Sequence, residues 1–294
     1  MNSIAFIFAY RPTDIWSTPL SIVNEFKNRG WDVKIYSLFD QYDNYIDDNI
    51  YVLLNTKPDI IIHMDWGRHL SPILSKLKST GAYCIMEAGD DPQNFDRNII
   101  KTSWFDLILS PDIRAVNRYK ELGHNAEWWT HFADTSTQYP IDVEQKYIAV
   151  SSRGIGSSEI LDALANHYSG DIINQNGWDG IEHTKFLNSG KMVLQHSRWG
   201  EITRRIFEGM ACKKLVITDR LSKDTLLENL FIDGEDIILY DGLLDCANKI
   251  VYYNENDSER EHIAENGYNK ILQYHTQKQR VNKIIEKWIN SHSQ

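Results

Sequence analysis

Apolar and polar positions follow two rhythms along this chain. Short apolar runs rich in β-branched residues predict strands near 4–10, 32–38, 59–63, 82–87, 106–110 and 125–129. Between them, apolar residues at helical spacing predict helices near 18–29, 70–79 and 112–122, with weaker helical pieces near 46–56 and 94–102. Pro58-Asp59-Ile60-Ile61-Ile62 and Asp106-Leu107-Ile108-Leu109 are abrupt entries into buried strands. Gly30, Gly81 and Gly123 each follow a helical pattern and precede a strand, as helix C-caps do. A second series opens at Tyr147-Ile148-Ala149-Val150 and repeats through 170–174, 190–195, 214–218 and 236–240, ahead of a charged helical tail. Strand and helix alternating in this way predict α/β architecture with doubly wound parallel sheets. Thr135 to Asp142 interrupts the pattern, so the expected domains are 1–138 and 139–294.

Composition narrows the function classes. With 294 residues, 42% of them apolar, the chain can bury two cores of ordinary size. Cys84, Cys212 and Cys246 are widely spaced with no Cys-x-x-Cys, which fits a reducing compartment and neither a disulfide framework nor a zinc site. Ile4 to Tyr10 is too short for a signal-peptide core and lacks a basic lead-in; it reads as the first strand. No run approaches the roughly 20 apolar residues that span a bilayer, so the expectation is a soluble, cytoplasmic protein. A net charge of −10 argues against a general polyanion binder. Residues 185–223 depart from that balance, with nine Lys or Arg against three acids. A positive patch in an acidic protein fits a compact anionic ligand, although solvated helix faces also carry such lysines.

The same region holds the most informative motif, Arg204-Arg205-Ile206-Phe207-Glu208-Gly209-Met210-Ala211-Cys212-Lys213-Lys214-Leu215-Val216-Ile217-Thr218-Asp219. It predicts a short helix, a tight turn and a buried strand. Two arginines three and four residues before Glu208 put cations and an anion at one helix end. Guanidinium on phosphate and carboxylate on sugar hydroxyls would together hold a diphosphate and a ribose. The plain alternative is an amphipathic core helix with a surface ion pair.

The order of residues from about Lys185 onward resembles the C-terminal, donor-binding domain of the GT-B glycosyltransferases, in particular the branch that includes the CgeB-like enzymes. The resemblance is carried by Arg205-x-Phe207-Glu208, Ala211-Cys212, Leu215 to Asp219, Leu230-Phe231-x-x-Gly234-Glu235-Asp236 and Ile238-Leu239-Tyr240 as ordered blocks. A tail with Arg260, Ile263-Ala264, Gly267-Tyr268 and His275-Thr276 follows. Gly89-Asp90-Asp91-Pro92, Ala133-Asp134 and Tyr139-Pro140 look like its earlier landmarks. Family members often have Gly where Lys213 stands, and many retaining relatives carry Glu-x7-Glu, where this chain has Gly200, with Glu201 one place off. The resemblance implies two Rossmann-like domains facing across a cleft, followed by C-terminal helices. It implies sugar transfer from a nucleoside diphosphate donor, with Glu208 on the ribose and Arg205 and Arg153 on the diphosphate. A non-catalytic nucleotide- or sugar-binding protein and a sugar-nucleotide epimerase or phosphorylase share that fold and remain alternatives.

Three further constellations bear on the site. Ser151-Ser152-Arg153-Gly154-Ile155-Gly156-Ser157-Ser158 links a strand to a helix and reads as a phosphate loop with Arg153 and Gly154 at the donor, or as a bare turn. Glu159 stands where a dinucleotide fingerprint needs a third Gly. His63-Met64-Asp65-Trp66-Gly67-Arg68 ends a buried strand, with Asp65 as first choice of base and His63, Trp66 and Arg68 as acceptor contacts; a helix N-cap is the alternative for Asp65. Asp91, in a Gly-Asp-Asp-Pro turn, is the second choice of base, with turn chemistry as its plainer reading. Arg198 and Arg204 complete the expected donor contacts. No Asp-x-Asp occurs, so the diphosphate is expected to be met by Arg and helix dipole, with no metal and no cofactor beyond the nucleotide sugar. The acceptor stays open between a cell-surface glycan, a protein hydroxyl and a hydroxymethylated DNA base.

Overall fold

The computed structural model describes residues 1–10, 18–39, 44, 46–64, 70–178 and 180–293. The chain divides into two compact units, Met1–Thr130 with Lys278–Gln294, and His131–Gln277.

The first unit holds β1 (Ser3–Phe8), β2 (Asp32–Ser37), β3 (Ile60–Met64), β4 (Tyr83–Glu87), β5 (Leu107–Ser110) and β6 (Ala126–Trp128). They form one parallel sheet in the order β2-β1-β3-β4-β5-β6. Helices cover both faces, so β3 and β5 are buried at every position and read as unbroken apolar runs. The two aspartates ahead of β3 and β5 fix strand starts. Asp59 Oδ2 accepts from the Ser3 N–H at 2.7 Å and Asp106 Oδ2 from the Cys84 N–H at 2.9 Å. Gly30, Gly81 and Gly123 take φ of +77°, +81° and +83°, the left-handed conformation that ends a helix. The helix expected near 70–79 is a 3-10 helix, Pro72–Thr80. Ser75, Ser79 and Thr80 each donate a hydroxyl hydrogen bond at 2.7 Å to the carbonyl three residues back, which favours the tighter winding.

The second unit holds β7 (Tyr147–Ser151), β8 (Ile172–Asn174), β9 (Gly190–Gln195), β10 (Leu215–Asp219) and β11 (Ile238–Tyr240). These are also parallel, in the order β11-β10-β9-β7-β8. The order reverses between β7 and β9. In open α/β sheets ligands bind at the carboxyl ends of the strands flanking such a reversal. Helix Arg204–Ala211 connects β9 to β10 and lies on both. A Cβ at Gly209 would meet Val216 Cγ2 at 2.9 Å and Val193 Cβ at 3.1 Å, so only glycine lets this helix seat so closely. Helix Asp257–Tyr274 packs on it in turn, with Gly267 in a gap where a Cβ would meet the Asp236 carbonyl at 2.6 Å.

The domain reading of 1–138 and 139–294 differs from this division at both ends. Most of the last helix, Gln277–Ser291, packs with the first unit. Arg280 Nε donates to the Thr130 carbonyl at 2.9 Å, Lys283 Nζ to the Trp128 carbonyl at 2.7 Å, and Lys287 Nζ to Glu127 Oε1 at 2.6 Å. Trp288 meets Trp31 edge-on, with ring centroids 5.4 Å apart. A helical period reports which face is apolar and not which core receives it.

Candidate functional site

The carboxyl ends of β7 and β9 gather the charged groups that the sequence singled out after residue 140. Arg153 follows β7, and its Nε and Nη2 are buried with no hydrogen-bond partner. Burial lowers its pKa, as do the neighbouring guanidinium groups of Arg205 and Arg198, while Glu201 and Asp219 oppose them. Arg205 reaches the same strand end: its Nε donates to Ser152 Oγ at 3.0 Å. Arg198 is exposed, 5.1 Å from the Trp199 ring centroid. Three cations against two carboxylates, with buried N–H groups unsatisfied, form a site that an anion would complete, because a buried donor left unpaired costs about 1–3 kcal/mol.

The loop after β7 does not offer the amides of its two glycines. Gly154 N–H is taken by Asn174 Oδ1 at 2.9 Å and Gly156 N–H by Asp162 Oδ2 at 2.8 Å. The expectation that the Gly154 backbone cradles a phosphate is therefore corrected: its amide is already taken, and the buried donors of this loop without a partner are Nε and Nη2 of Arg153. Gly154 has a packing reason instead, since at φ +84° its missing Cβ makes room for Asn176, 2.6 Å away.

Helix Arg204–Ala211 carries the rest. Glu208 is 2% exposed. Its Oε1 lies 2.9 Å from Arg204 Nε and accepts from Gln138 Nε2 at 3.2 Å, while Oε2 is buried without a partner. Burial pushes this carboxyl up, but Arg204, His183, Arg205 and His131 outweigh it, and the net shift is downward. Arg204 thus serves as the internal counter-ion of Glu208, not as the expected phosphate contact. The two consecutive arginines diverge because adjacent helical positions do not share a face. Glu201 is a loop brace, its Oε2 accepting from Ser197 Oγ at 2.8 Å and Trp199 N–H at 2.7 Å. Lys213, where relatives have Gly, closes the helix at φ +56°.

In the first unit, Asp65, Trp66 and Arg68 lie outside the described residues. His63 is fully buried in β3 with its ring beside Phe105, centroids 5.7 Å apart. The acceptor-contact expectation for His63 is corrected on that ground: the imidazole has no surface to offer. Asp91 is 3% exposed, with Oδ1 accepting from Asn98 at 2.9 Å and Oδ2 from Ser110 at 2.8 Å and Tyr119 at 3.1 Å. Its role as second-choice base is corrected to that of a core junction, because three donors already fill it. Sequence reading passed over Glu87, at the end of β4, which is 8% exposed with Oε2 buried and unpartnered. A lone acid at the close of an apolar strand was the available signal.

Burial raises the Glu87 carboxyl to about 8, Asp90 and Asp91 add to this, and Lys101 opposes it. Burial likewise raises Asp91 to about 6 against its hydrogen bonds. Both acids hold protons more tightly folded than unfolded. Their contribution to stability is therefore full below the ordinary carboxylate range and is lost as pH rises through about 6 and then about 8. Glu87→Gln is expected to melt above the parent protein at pH 8, by about 1–2 kcal/mol of stability, with the gap closing toward pH 5. Thermal melts at both pH values check this, and an equal gap at both would show that the charge is not the cause.

Comparison with solved structures identifies the scaffold. Sucrose-phosphate synthase from Thermosynechococcus elongatus matches with a TM-score of 0.70 at 11% identity, covering 100% of each chain. HepE from Anabaena, in complex with UDP-glucose, matches at 0.68 and 11%, covering 97% of this chain and 99% of that one. The DNA-modifying enzyme β-glucosyltransferase matches at 0.62 and 12%, covering 98% and 99%. The fold is GT-B. In this GT-B chain, residues 155–286 also match the family described as Glycosyl transferase-like. A comparison with curated proteins gives no match. Among the described residues, no helix of the GT-B chain is long and apolar enough to cross a membrane, and no three His, Cys, Asp or Glu side chains are grouped to hold a metal ion.

Proposed function

We propose that the chain transfers a hexosyl or pentosyl unit from a nucleoside diphosphate sugar to an acceptor hydroxyl, with the donor on the carboxyl ends of β7 and β9. The observation that carries this reading is Arg153, whose buried Nε and Nη2 have no partner at the topological reversal of the second sheet. The diphosphate would pair with Arg153, Arg205 and Arg198, and Glu208 Oε2 would accept from the ribose hydroxyls. The bond between the anomeric carbon and the diphosphate oxygen breaks while the acceptor oxygen bonds to that carbon. Negative charge grows on the departing diphosphate, and these fixed cations stabilise it more in the transition state than in the ground state. Charge is met by arginine, so turnover proceeds without a divalent ion. Asp65 is the base proposed for an inverting path; a retaining path needs none at that position. The ordered blocks around Arg205-x-Phe207-Glu208 support placement beside the CgeB-like branch, and three buried free cysteines support a cytoplasmic setting. The fold is shared with proteins described as binding UDP-glucose and as modifying DNA. A glycan, a protein and a modified DNA base all remain acceptors to be screened.

Calorimetric titration with UDP, GDP, ADP and TDP, followed by turnover of the matching nucleotide sugars with and without EDTA, tests the reading. One nucleoside diphosphate is expected to bind, and release of that diphosphate in the presence of acceptor is expected to continue in chelator. Absence of binding by every nucleoside diphosphate overturns the reading. Loss of turnover in EDTA with rescue by magnesium or manganese overturns its metal-free form.

A further inference from the structure

A pocket of about 460 Å³ opens on the flank of the second unit, against helix Gly180–Asn188. It lies at the start of β7, where Lys146 and Tyr147 enter that strand, and Ser189, one residue ahead of β9, adjoins them. Arg153 stands past the other end of β7. The five residues of the strand, at about 3.3 Å each, put roughly 16 Å between the two places. Trp178 follows β8 but does not stay at the strand ends. Gly177 takes φ +91°, and the Trp178 indole stacks on Phe186, eight residues further on, with ring centroids 5.2 Å apart and 18° between planes. Phe186 is 7% exposed and Trp178 is 38% exposed. The indole is thus fixed on the core and still presents surface in the pocket.

Two carboxylates and two ammonium groups surround it, already in pairs. Lys185 Nζ is 2.7 Å from Glu182 Oε1, and Lys146 Nζ is 3.7 Å from Glu144 Oε2. Their charges balance, so the pocket offers hydrogen-bond acceptors and donors together without selecting an anion or a cation. A pyranose ring has the complementary surface: a face of C–H bonds, a rim of hydroxyls that donate and accept, and no charge. A phosphate here would meet two carboxylates, and a purely apolar ligand would leave four charged groups unused. We infer that this pocket is a second binding site, which holds a neutral glycan with one sugar ring on Trp178 and its hydroxyls bonded to the flanking carboxylates and ammonium groups. Its volume lies within the range of small-ligand sites. Phe186 holds the indole in place before the ligand arrives, so little side-chain freedom is lost on binding. Among the acceptor classes above, a glycan is the one this surface fits; that bearing rests on the transferase reading, and the binding itself does not.

The test is saturation-transfer NMR on the whole chain with maltotetraose, cellotetraose, mannotetraose and N-acetylated chitotetraose as probes, and with oligogalacturonate as an anionic control. At least one neutral probe is expected to bind, with a dissociation constant on the order of 1 mM. Trp178→Ala is expected to weaken that binding by roughly 10-fold or more, and Glu182→Ala by roughly 3-fold. Both variants are expected to keep the parental affinity for nucleoside diphosphate. Melting curves establish that they are folded, and Glu182, on the exposed side of its helix, serves if Trp178→Ala is not. Binding of no neutral probe overturns the inference, as does binding of the anionic control alone or neutral binding unchanged in a folded variant. Loss of nucleotide affinity in Trp178→Ala overturns it too, by assigning the indole to the donor. Glycan binding without affinity for any nucleoside diphosphate leaves this pocket standing and overturns the proposed function instead.

Discussion

Arg153→Met will weaken nucleoside diphosphate binding by about 30- to 100-fold while leaving the protein at least as stable as the parent. Loss of a charge-assisted contact to phosphate removes about 2–3 kcal/mol. The stability half of the expectation comes from the empty site. Arg153 is partly buried among Arg205 and Arg198 with Nε and Nη2 unsatisfied, so replacing its guanidinium by a thioether relieves repulsion and an unmet desolvation cost. A group that costs stability without ligand and contributes affinity with it is a marker of a binding site. Titration and thermal melts on the same preparation check both halves. Arg153→Met with parental affinity would remove the diphosphate from this end of β7, and a large drop in melting temperature would make Arg153 a structural residue.

Glu208→Ala is expected to lose both stability and nucleotide affinity, and this is the larger stability effect. The carboxylate is 2% exposed and lies 2.9 Å from Arg204 Nε, so its removal takes a close counter-ion from a buried guanidinium. Breaking one side of a buried pair typically costs about 3–5 kcal/mol. In the ligand-facing reading of Glu208, Glu208→Gln melts like the parent; the buried pair with Arg204 predicts that Glu208→Gln should also melt early. Folded Glu208 holds its proton less tightly than an ordinary carboxyl, so its contribution is present above the ordinary carboxylate range and is lost as pH falls through the lowered value. The double variant Arg204→Met with Glu208→Leu separates the roles. It should recover most of the stability, because both members of the buried pair are replaced together, and still bind nucleotide poorly. Recovery of affinity along with stability would take the ribose contact away from Glu208.

What the sequence made legible follows from how each signal is encoded. All the strands expected in the two series are found, because β3 or β10 buried on both faces must be an apolar run and its neighbours must turn. The cluster of Arg153 and Arg205 was visible because Arg153 follows β7 and Arg205 opens the helix after β9, neighbouring strands of one parallel sheet. Arg204 against Arg205 was not: the split depends on which side of one helix faces Gln138, and spacing is silent on that. His63 misled for a similar reason. A polar residue inside an apolar run invites a functional reading, yet β3 buries both of its faces and the ring packs on Phe105.

The last helix sets an order on the making of the molecule. Residues 131–277 form their unit from one unbroken segment, whereas residues 1–130 need Lys278–Gln294 to finish theirs. On the ribosome the second unit can close as soon as its own segment has emerged. The first, although synthesised earlier, gains the partners of Trp31 and of the backbone carbonyls of Trp128 and Thr130 only when Trp288, Lys283 and Arg280 emerge. A fragment cut at residue 138 would therefore lack the segment that completes the first unit.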